Sequence, residues 1–452
     1  MSQFLSLHSA NMEFEVLCFI LAISTTIYAE TKNYDGFKVY KVIPESADEV
    51  ESLIKVQRST DVQVSILQSP VFTKSGTSVS GDFENEYFKR IQTSPNRRSY
   101  QRNADTLFSF TWDRYHSLNA IYSWFDELAE AFPSIVRTVV MGESVEGRQI
   151  KGIVLDYHPE RTEKKIGMFE GALHAREWIS PATITWIIKE FLASDDPEVI
   201  ALASSFEWHF FPVANPDGYS YTFTDRRMWR KNRSRANFTS CAASGVEDDM
   251  SNGVDLNRNF DFVWNTAGTS DNPCSNLFPG PSPASEPETQ AIQQYVLNLK
   301  EQGEIIYYIA FHSYTQLIIV PHSHLTIDQA LTVDNYCHKM YFEAIDYSML
   351  TVHLIYSLPT DAMSGTSFDW AKNAANIPVA YLIELRDLGD YGFLLPAEQI
   401  IPNNLEIIDA LLEMDRATRD LRYYERSAAG NVATSLFLMA SKTDFQMFHI
   451  SV

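Results

Sequence analysis

From about residue 111 the apolar positions of this chain switch repeatedly between helical spacing and short continuous runs. Residues 118–132 carry apolar side chains at helical intervals, and IVRTVVM and IKGIVLD then read as strands. IGMFEGAL is a further strand, and the spacing predicts a helix opening at Ser180, with that serine as cap and Pro181 at the first position. FEWHFFPVAN reads as a strand, and Ser285-Glu-Pro-Glu288 as a capping box that opens a helix to about residue 300. EIIYYIAF and IPVAYLIEL have no polar face, as expected of strands covered on both sides. The alternation predicts an α/β fold: a mixed, largely parallel open sheet with helices on both faces and no internal repeat.

The N-terminal quarter differs. Residues 16–29 form an apolar run too short for a bilayer span and end on a small residue, the pattern of a secretory signal. Residues 34–67 contain two strand-like runs, KVYKVI and VQVSIL, around the helix-like ADEVESLIKV, which makes a small α+β unit. Residues 69–102 are polar and lack core periodicity, so they read as a linker. Its basic cluster Arg97, Arg98 and Arg102 is an accessible target for a trypsin-like protease.

Charge and cysteines narrow the setting. With 36 Lys plus Arg against 58 Asp plus Glu, the net charge of -22 argues against nucleic acid or an anionic membrane as a partner. Cys18 lies in the signal-like run, while Cys241 and Cys274 flank one polar loop, where a disulfide suits an oxidising compartment. Cys337, in a helical pattern, reads as a buried thiol. Asn232-Arg-Ser and Asn237-Phe-Thr have the glycosylation acceptor pattern. Secretion is the expectation.

The chemistry centres on His174-Ala-Arg-Glu177, an imidazole and a carboxylate three residues apart after a strand. His312 follows EIIYYIAF, and Glu384 sits near the end of IPVAYLIEL. All three places are C-terminal strand ends, the rim where open α/β sheets bind ligands. Two imidazoles and one carboxylate suit a hydrolytic zinc centre with one position left for water. Glu384 is then a carboxylate free to move protons. A His-x-x-Glu pair alone occurs often by chance; the segments RRMWRKNRS and GVDLNRNFD add guanidinium groups and an amide, which bind carboxylates and stabilise oxyanions. A serine hydrolase is disfavoured, since the chain has no Gly-x-Ser-x-Gly elbow.

Between residues 110 and 418 the segments TWDRYHSLNAIYSWFDELA, HAREWISPAT, FPVANPDGY, MWRKNRS, GVDLNRNFD, FHSYTQ and ELRDLGDYGFLLPAEQIIP resemble a secreted zinc metallocarboxypeptidase of the pancreatic carboxypeptidase A/B type. The resemblance implies one zinc ion on His174, Glu177 and His312, with Glu384 as general base and then acid. It further implies Arg230 on the oxyanion, and Asn257 and Arg258 on the terminal carboxylate. Arg176, Tyr314 and Phe393 would contact substrate, and Asp255 would orient His174. The domain plan it implies is a signal peptide at 1–29, a propeptide with linker at 30–102, a zinc carboxypeptidase domain at 103–420 and an unassigned tail at 421–452. The substrate would be peptide C-termini and the protein a monomer.

Two departures shape the expected activity. Asp361 stands where the family carries a mobile tyrosine, in Asp361-Ala-Met-Ser-Gly-Thr-Ser-Phe368-Asp-Trp370, and the stretch before it is shortened. A carboxylate there would weaken substrate binding by repelling the terminal carboxylate. Phe368 occupies the position where basic-specific relatives carry Asp, so with Met363 and Leu382 it predicts a preference for hydrophobic C-terminal residues. The alternative to an efficient enzyme is a weakened homologue that binds peptide C-termini without turning them over.

Overall fold

The polar-free runs predicted to be covered on two sides lie at the centre of a twisted sheet in the computed structural model, which describes residues 31–34, 37–40, 109–235, 253–325, 353–354 and 362–420. The strands are β1 (Thr31–Tyr34), β2 (Phe37–Tyr40), β3 (Val136–Glu143), β4 (Gln149–Leu155), β5 (Lys164–Gly171), β6 (Glu207–Phe211), β7 (Gly303–Ser313), β8 (Leu317–Ile319), β9 (His353–Leu354) and β10 (Val379–Leu385). β1 and β2 pair as an antiparallel hairpin. The other eight form one sheet in the order β3-β4-β6-β5-β7-β10-β8-β9. β6, β5, β7 and β10 are mutually parallel, while β3, β4 and β8 run antiparallel to their inner neighbours. This is the mixed, largely parallel sheet that the pattern predicts.

Helices cover both faces: α1 (Leu118–Ala131), α2 (Ile179–Ala193), α3 (Pro197–Ser205), α4 (Pro216–Thr224), α5 (Pro287–Gln302), α6 (Ser367–Asn373) and α7 (Ile400–Asp420). Successive strand residues feed opposite cores, as the period of two requires. Tyr307, Ile309, Phe311, Tyr381 and Ile383 join α1, α2, α3 and α7 in one apolar cluster. Tyr308, Ala310, Ala380 and Leu382 join α5 and α6 in the other.

Two expected caps are not formed. The helix expected with Ser180 as its cap begins two residues earlier, with Trp178 as its cap and no side-chain cap bond. Ser180 turns inward instead: its Oγ donates to the Glu177 carbonyl at 2.8 Å and accepts from the Ala172 N–H at 2.9 Å. The Ser285 capping box is also absent, because Glu286 is the cap of α5 and Glu288 is drawn away to the Val145 N–H at 3.0 Å and the Asn232 amide at 3.0 Å. In both places a tertiary partner outcompetes the local one.

The helix and second strand expected at the N-terminal unit lie outside the described residues, as do segments 16–29 and 69–102 and the tail 421–452. Among the described residues no helix is long and apolar enough to cross a membrane.

Candidate active site

Strand register explains how distant residues meet. His312 and Glu384 are direct partners on β7 and β10, so the pleat sends both side chains to one face. Gly171, the last residue of β5, pairs with Phe311, which brings the following loop and His174 to the same rim. That loop is tightly held. Ala172 adopts a positive φ of 44°, and its N–H is taken by Ser180. Asn215 caps α4 while its amide donates to the carbonyls of Leu173 and Lys231, and the Ala175 N–H bonds the Arg230 carbonyl. The 174–177 and 230–234 segments are thus bolted together by backbone contacts.

The His174 Nδ1 lies 2.9 Å from Glu177 Oε1 and 3.0 Å from His312 Nδ1, and His312 Nδ1 is 3.0 Å from Glu177 Oε2. All three residues are buried. Two ring nitrogens only 3.0 Å apart and both carboxylate oxygens therefore face one point, an arrangement that one shared cation would satisfy. Tetrahedral zinc with ordinary bond lengths spaces its donors roughly 3.3 Å apart, so the residues fit that ion with shifts of a few tenths of an ångström. One candidate ligand atom from each of His174, Glu177 and His312 lies within 4.8 Å of the other two. His174 Nε2 lies 3.0 Å from Asp255 Oδ1, the contact that fixes a ligating ring from behind.

Electrostatics separate the two glutamates. Burial acts to raise the pKa of Glu177, but the neighbouring His174 and His312 outweigh it and hold this carboxylate well below its usual range. Burial, then repulsion from Glu177, push Glu384 up to about 8, and its Oε2 is buried without a hydrogen-bond partner among the described residues. One carboxylate is thus held ionised while the other is pushed toward its neutral form.

Arg230 is anchored by two bonds, from Nε at 3.1 Å and Nη2 at 2.9 Å, to Asp255 Oδ2. Its Nη1 lies 3.8 Å from Glu177 Oε1, at the edge of the ligand cluster. Arg258 and Asn257 sit on the short helical turn Leu256–Arg258, capped by Asp255. The Arg258 guanidinium donates only to carbonyls, those of Gly268 and Asn257 at 2.8 Å each, and burial lowers its pKa to about 10. The guanidinium is hydrogen-bonded to no carboxylate among the described residues, although the charges of Asp255 and Glu384 act on it.

Segment 364–368 packs directly on this turn. Gly365 has φ +69°, accepts the Phe260 N–H, and leaves no room for a side chain: a Cβ would lie 2.3 Å from the Arg258 carbonyl oxygen. Gly365→Ala is expected to destabilise the protein by more than about 1 kcal/mol from the backbone conformation alone, and to displace Arg258. Thermal melting together with the KM for a substrate bearing a free C-terminus would check both effects.

Arg176, Tyr314 and Phe393 come together as one group. The Arg176 guanidinium lies 4.0 Å above the Phe393 ring, which meets Tyr314 edge-on at 4.7 Å. Arg227, which sequence reasoning passed over, secures them: it donates to the carbonyls of Arg176 at 2.8 Å and Phe393 at 2.5 Å, and stacks on Trp178 at 3.6 Å. Its only signal was its place in the Arg-rich segment before Arg230. Phe368 is fully buried, in the same apolar cluster as Leu382. Asp361 and Cys241 lie outside the described residues, as do Cys337 and Asn237; Cys274 is disulfide-bonded.

Asn232 corrects an expectation. It is no glycosylation acceptor, because it is completely buried, its amide donating to Glu286 and Glu288 and its oxygen accepting from Val254.

Comparison with known proteins agrees with this geometry. The family model for zinc carboxypeptidases matches residues 121–410, well over half of the chain. A zinc carboxypeptidase A 1 of Anopheles gambiae is 35% identical over 90% of this chain and 95% of its own length. Carboxypeptidase B of Astacus astacus is 36% identical over 68% of this chain and 98% of its own length. Among solved structures, bovine thrombin-activatable fibrinolysis inhibitor in complex with tick carboxypeptidase inhibitor superposes with a TM-score of 0.57 at 30% identity, over 68% of this chain and 99% of that one. The carboxypeptidase A of Helicoverpa armigera gives a TM-score of 0.61 at 25% identity, covering 82% and 95% of the two chains. On the family match and on these identities over most of its length, the chain belongs to the zinc carboxypeptidase family, as a zinc-dependent exopeptidase that hydrolyses peptides from the C-terminus.

Proposed function

We propose that the protein releases single hydrophobic residues from peptide C-termini, with His174, Glu177 and His312 as zinc ligands and Glu384, Arg230, Asn257 and Arg258 as the working side chains. The observation that carries this reading is Arg258, buried beside the site and hydrogen-bonded, among the described residues, only to carbonyls. An incoming carboxylate gives it a charge partner, whereas an internal peptide leaves it unpaired, which restricts cleavage to the last residue.

Zinc, when bound, polarises the scissile carbonyl and lowers the pKa of water. Glu384, pushed up to about 8 by burial and by Glu177, takes the proton of the attacking water and passes it to the leaving amine. Arg230, held by Asp255 on two of its nitrogens, offers Nη1 to the oxyanion that develops. Asp255 thereby serves two partners, the oxyanion donor and the His174 ring.

Hydrophobic preference rests on Phe368, which leaves the pocket without the acid that a Lys or Arg side chain would require. A panel of blocked dipeptides ending in Phe, Leu, Ala, Lys and Arg, each as free acid and as amide, checks both parts. The Phe and Leu acids should be cleaved best and the amides resist. Preference for Lys or Arg would overturn the pocket assignment, and cleavage of the amides would overturn the role of Arg258.

A weakened, peptide-binding homologue is the second reading, favoured by Asp361 at the usual tyrosine position. Asp361→Tyr should lower KM if that carboxylate opposes the substrate. We further propose a secreted zymogen, with residues 1–29 as signal, 30–102 as propeptide and linker, and 103–420 as the enzyme; the disulfide at Cys274 supports an oxidising compartment.

A further inference from the structure

We propose that Glu170, a buried carboxylate with no part in the chemistry above, is a positioning residue for the terminal-carboxylate site, acting through Ser367 on the amide of Asn257. The inference rests on the reading of Asn257 and Arg258 as the groups that grip the substrate's C-terminus.

Glu170 lies on β5 opposite Ala310 of β7, which in turn faces Leu382 of β10. His312 and Glu384 stand two residues further along those strands, so Glu170 occupies the same face one level beneath the site. It is 1% exposed and forms no salt bridge among the described residues, although the charge of His312 acts on it from the site above. Burial pushes its pKa up. A carboxyl group in an apolar core is costly to keep unless it is hydrogen-bonded.

What it holds is the first residue of α6. Glu170 Oε1 accepts from Ser367 Oγ at 2.5 Å, and the Ser367 N–H donates to Asn257 Oδ1 at 2.9 Å. That N–H is one of the donors a helix start leaves unused. A side-chain amide has one accepting end and one donating end. With Oδ1 committed to Ser367, Nδ2 remains as the end offered to the substrate. Release of Ser367 frees the amide to rotate and present an oxygen to an anion, which repels it. Glu170 thus sets the polarity of Asn257 without touching the substrate.

The test compares Glu170→Leu and Ser367→Ala with Glu170→Gln, which keeps an acceptor at Oε1, using a blocked dipeptide with a free C-terminal carboxylate. Loss of the relay should raise KM ~10-fold, in line with a weakened hydrogen bond to a charged group, with kcat nearly unchanged. Glu170→Gln should stay near the unmodified protein. Affinity for a zinc-directed hydroxamate without a carboxylate should not move in any variant, whereas a general loss of structure would lower it. In an Asn257→Ala background, which itself should raise KM, Glu170→Leu should add nothing further. Should Glu170→Leu fail to fold, Ser367→Ala carries the same expectations. If KM is unchanged in both relay variants while Asn257→Ala raises it, the relay is overturned and the carboxylate site stands. If Glu170→Leu raises KM equally in the Asn257→Ala background, the relay is likewise overturned. Unchanged KM in Asn257→Ala would overturn the carboxylate site itself, and the relay with it.

Discussion

Glu384→Gln is expected to lower kcat by about a hundred- to ten-thousand-fold, the usual contribution of a positioned acid–base group, while leaving bound zinc undiminished. The amide keeps the shape of the side chain but cannot accept a proton. Glu384 lies on the strand next to His312 and outside the cluster of His174, Glu177 and His312, so metal content measured on the purified variant should match that of the unmodified protein. The pH profile gives a second readout. A base works in its ionised form, and burial with repulsion from Glu177 pushes Glu384 up to about 8. Activity should therefore fall as pH drops through the pKa of this group, at a value that the bound dication would bring below 8. Residual activity of the glutamine variant should lack that acid limb. An unchanged limb would assign it to another group.

Arg230→Met is expected to cost about a hundred- to a thousand-fold in kcat, as for loss of one oxyanion donor, with a smaller change in KM. The geometry explains the division. Nε and Nη2 are spent on Asp255, which leaves Nη1 as the end nearest the ligand cluster, where charge develops only as the carbonyl is attacked. Affinity for a phosphonate that mimics the tetrahedral state should fall in parallel with kcat/KM, while affinity for a ground-state inhibitor falls much less. Equal losses for both would mean that Arg230 acts on bound substrate in general. Methionine also leaves Asp255 with a buried oxygen lacking its partner, so the melting temperature should be followed to separate this cost from the catalytic one.

Much of the fold was legible because the strong signals were long. IIYYIAF and VAYLIEL have no polar face, and a strand without one must be covered twice. Their ends located His312 and Glu384, and the register of β7 on β10 sets those two residues side by side. The metal cluster was legible for the same reason, since each member follows or closes such a strand. Local rules failed where tertiary partners compete. Ser180 has the composition of a cap, yet it ties the Glu177 carbonyl to Ala172; Glu288 has the spacing of a capping box, yet it meets Val145 and Asn232. Asn232 fits a glycosylation pattern of three residues, but no such pattern carries information about burial. Arg227 and Asn215 were missed because their partners are backbone groups far away in sequence, and Ser367 because it meets the distant side chains of Glu170 and Asn257; no spacing within one segment can reveal either.

The central claim, that zinc held at His174, Glu177 and His312 drives hydrolysis of a free C-terminus, is tested most directly by one titration. Turnover of a blocked dipeptide ending in Phe is followed on the mature protein before treatment with phenanthroline, after it, and after zinc is restored. Activity should disappear on chelation and return with one zinc ion per chain, and His312→Ala should abolish both the activity and the restored metal. Turnover that persists after complete removal of zinc would contradict it.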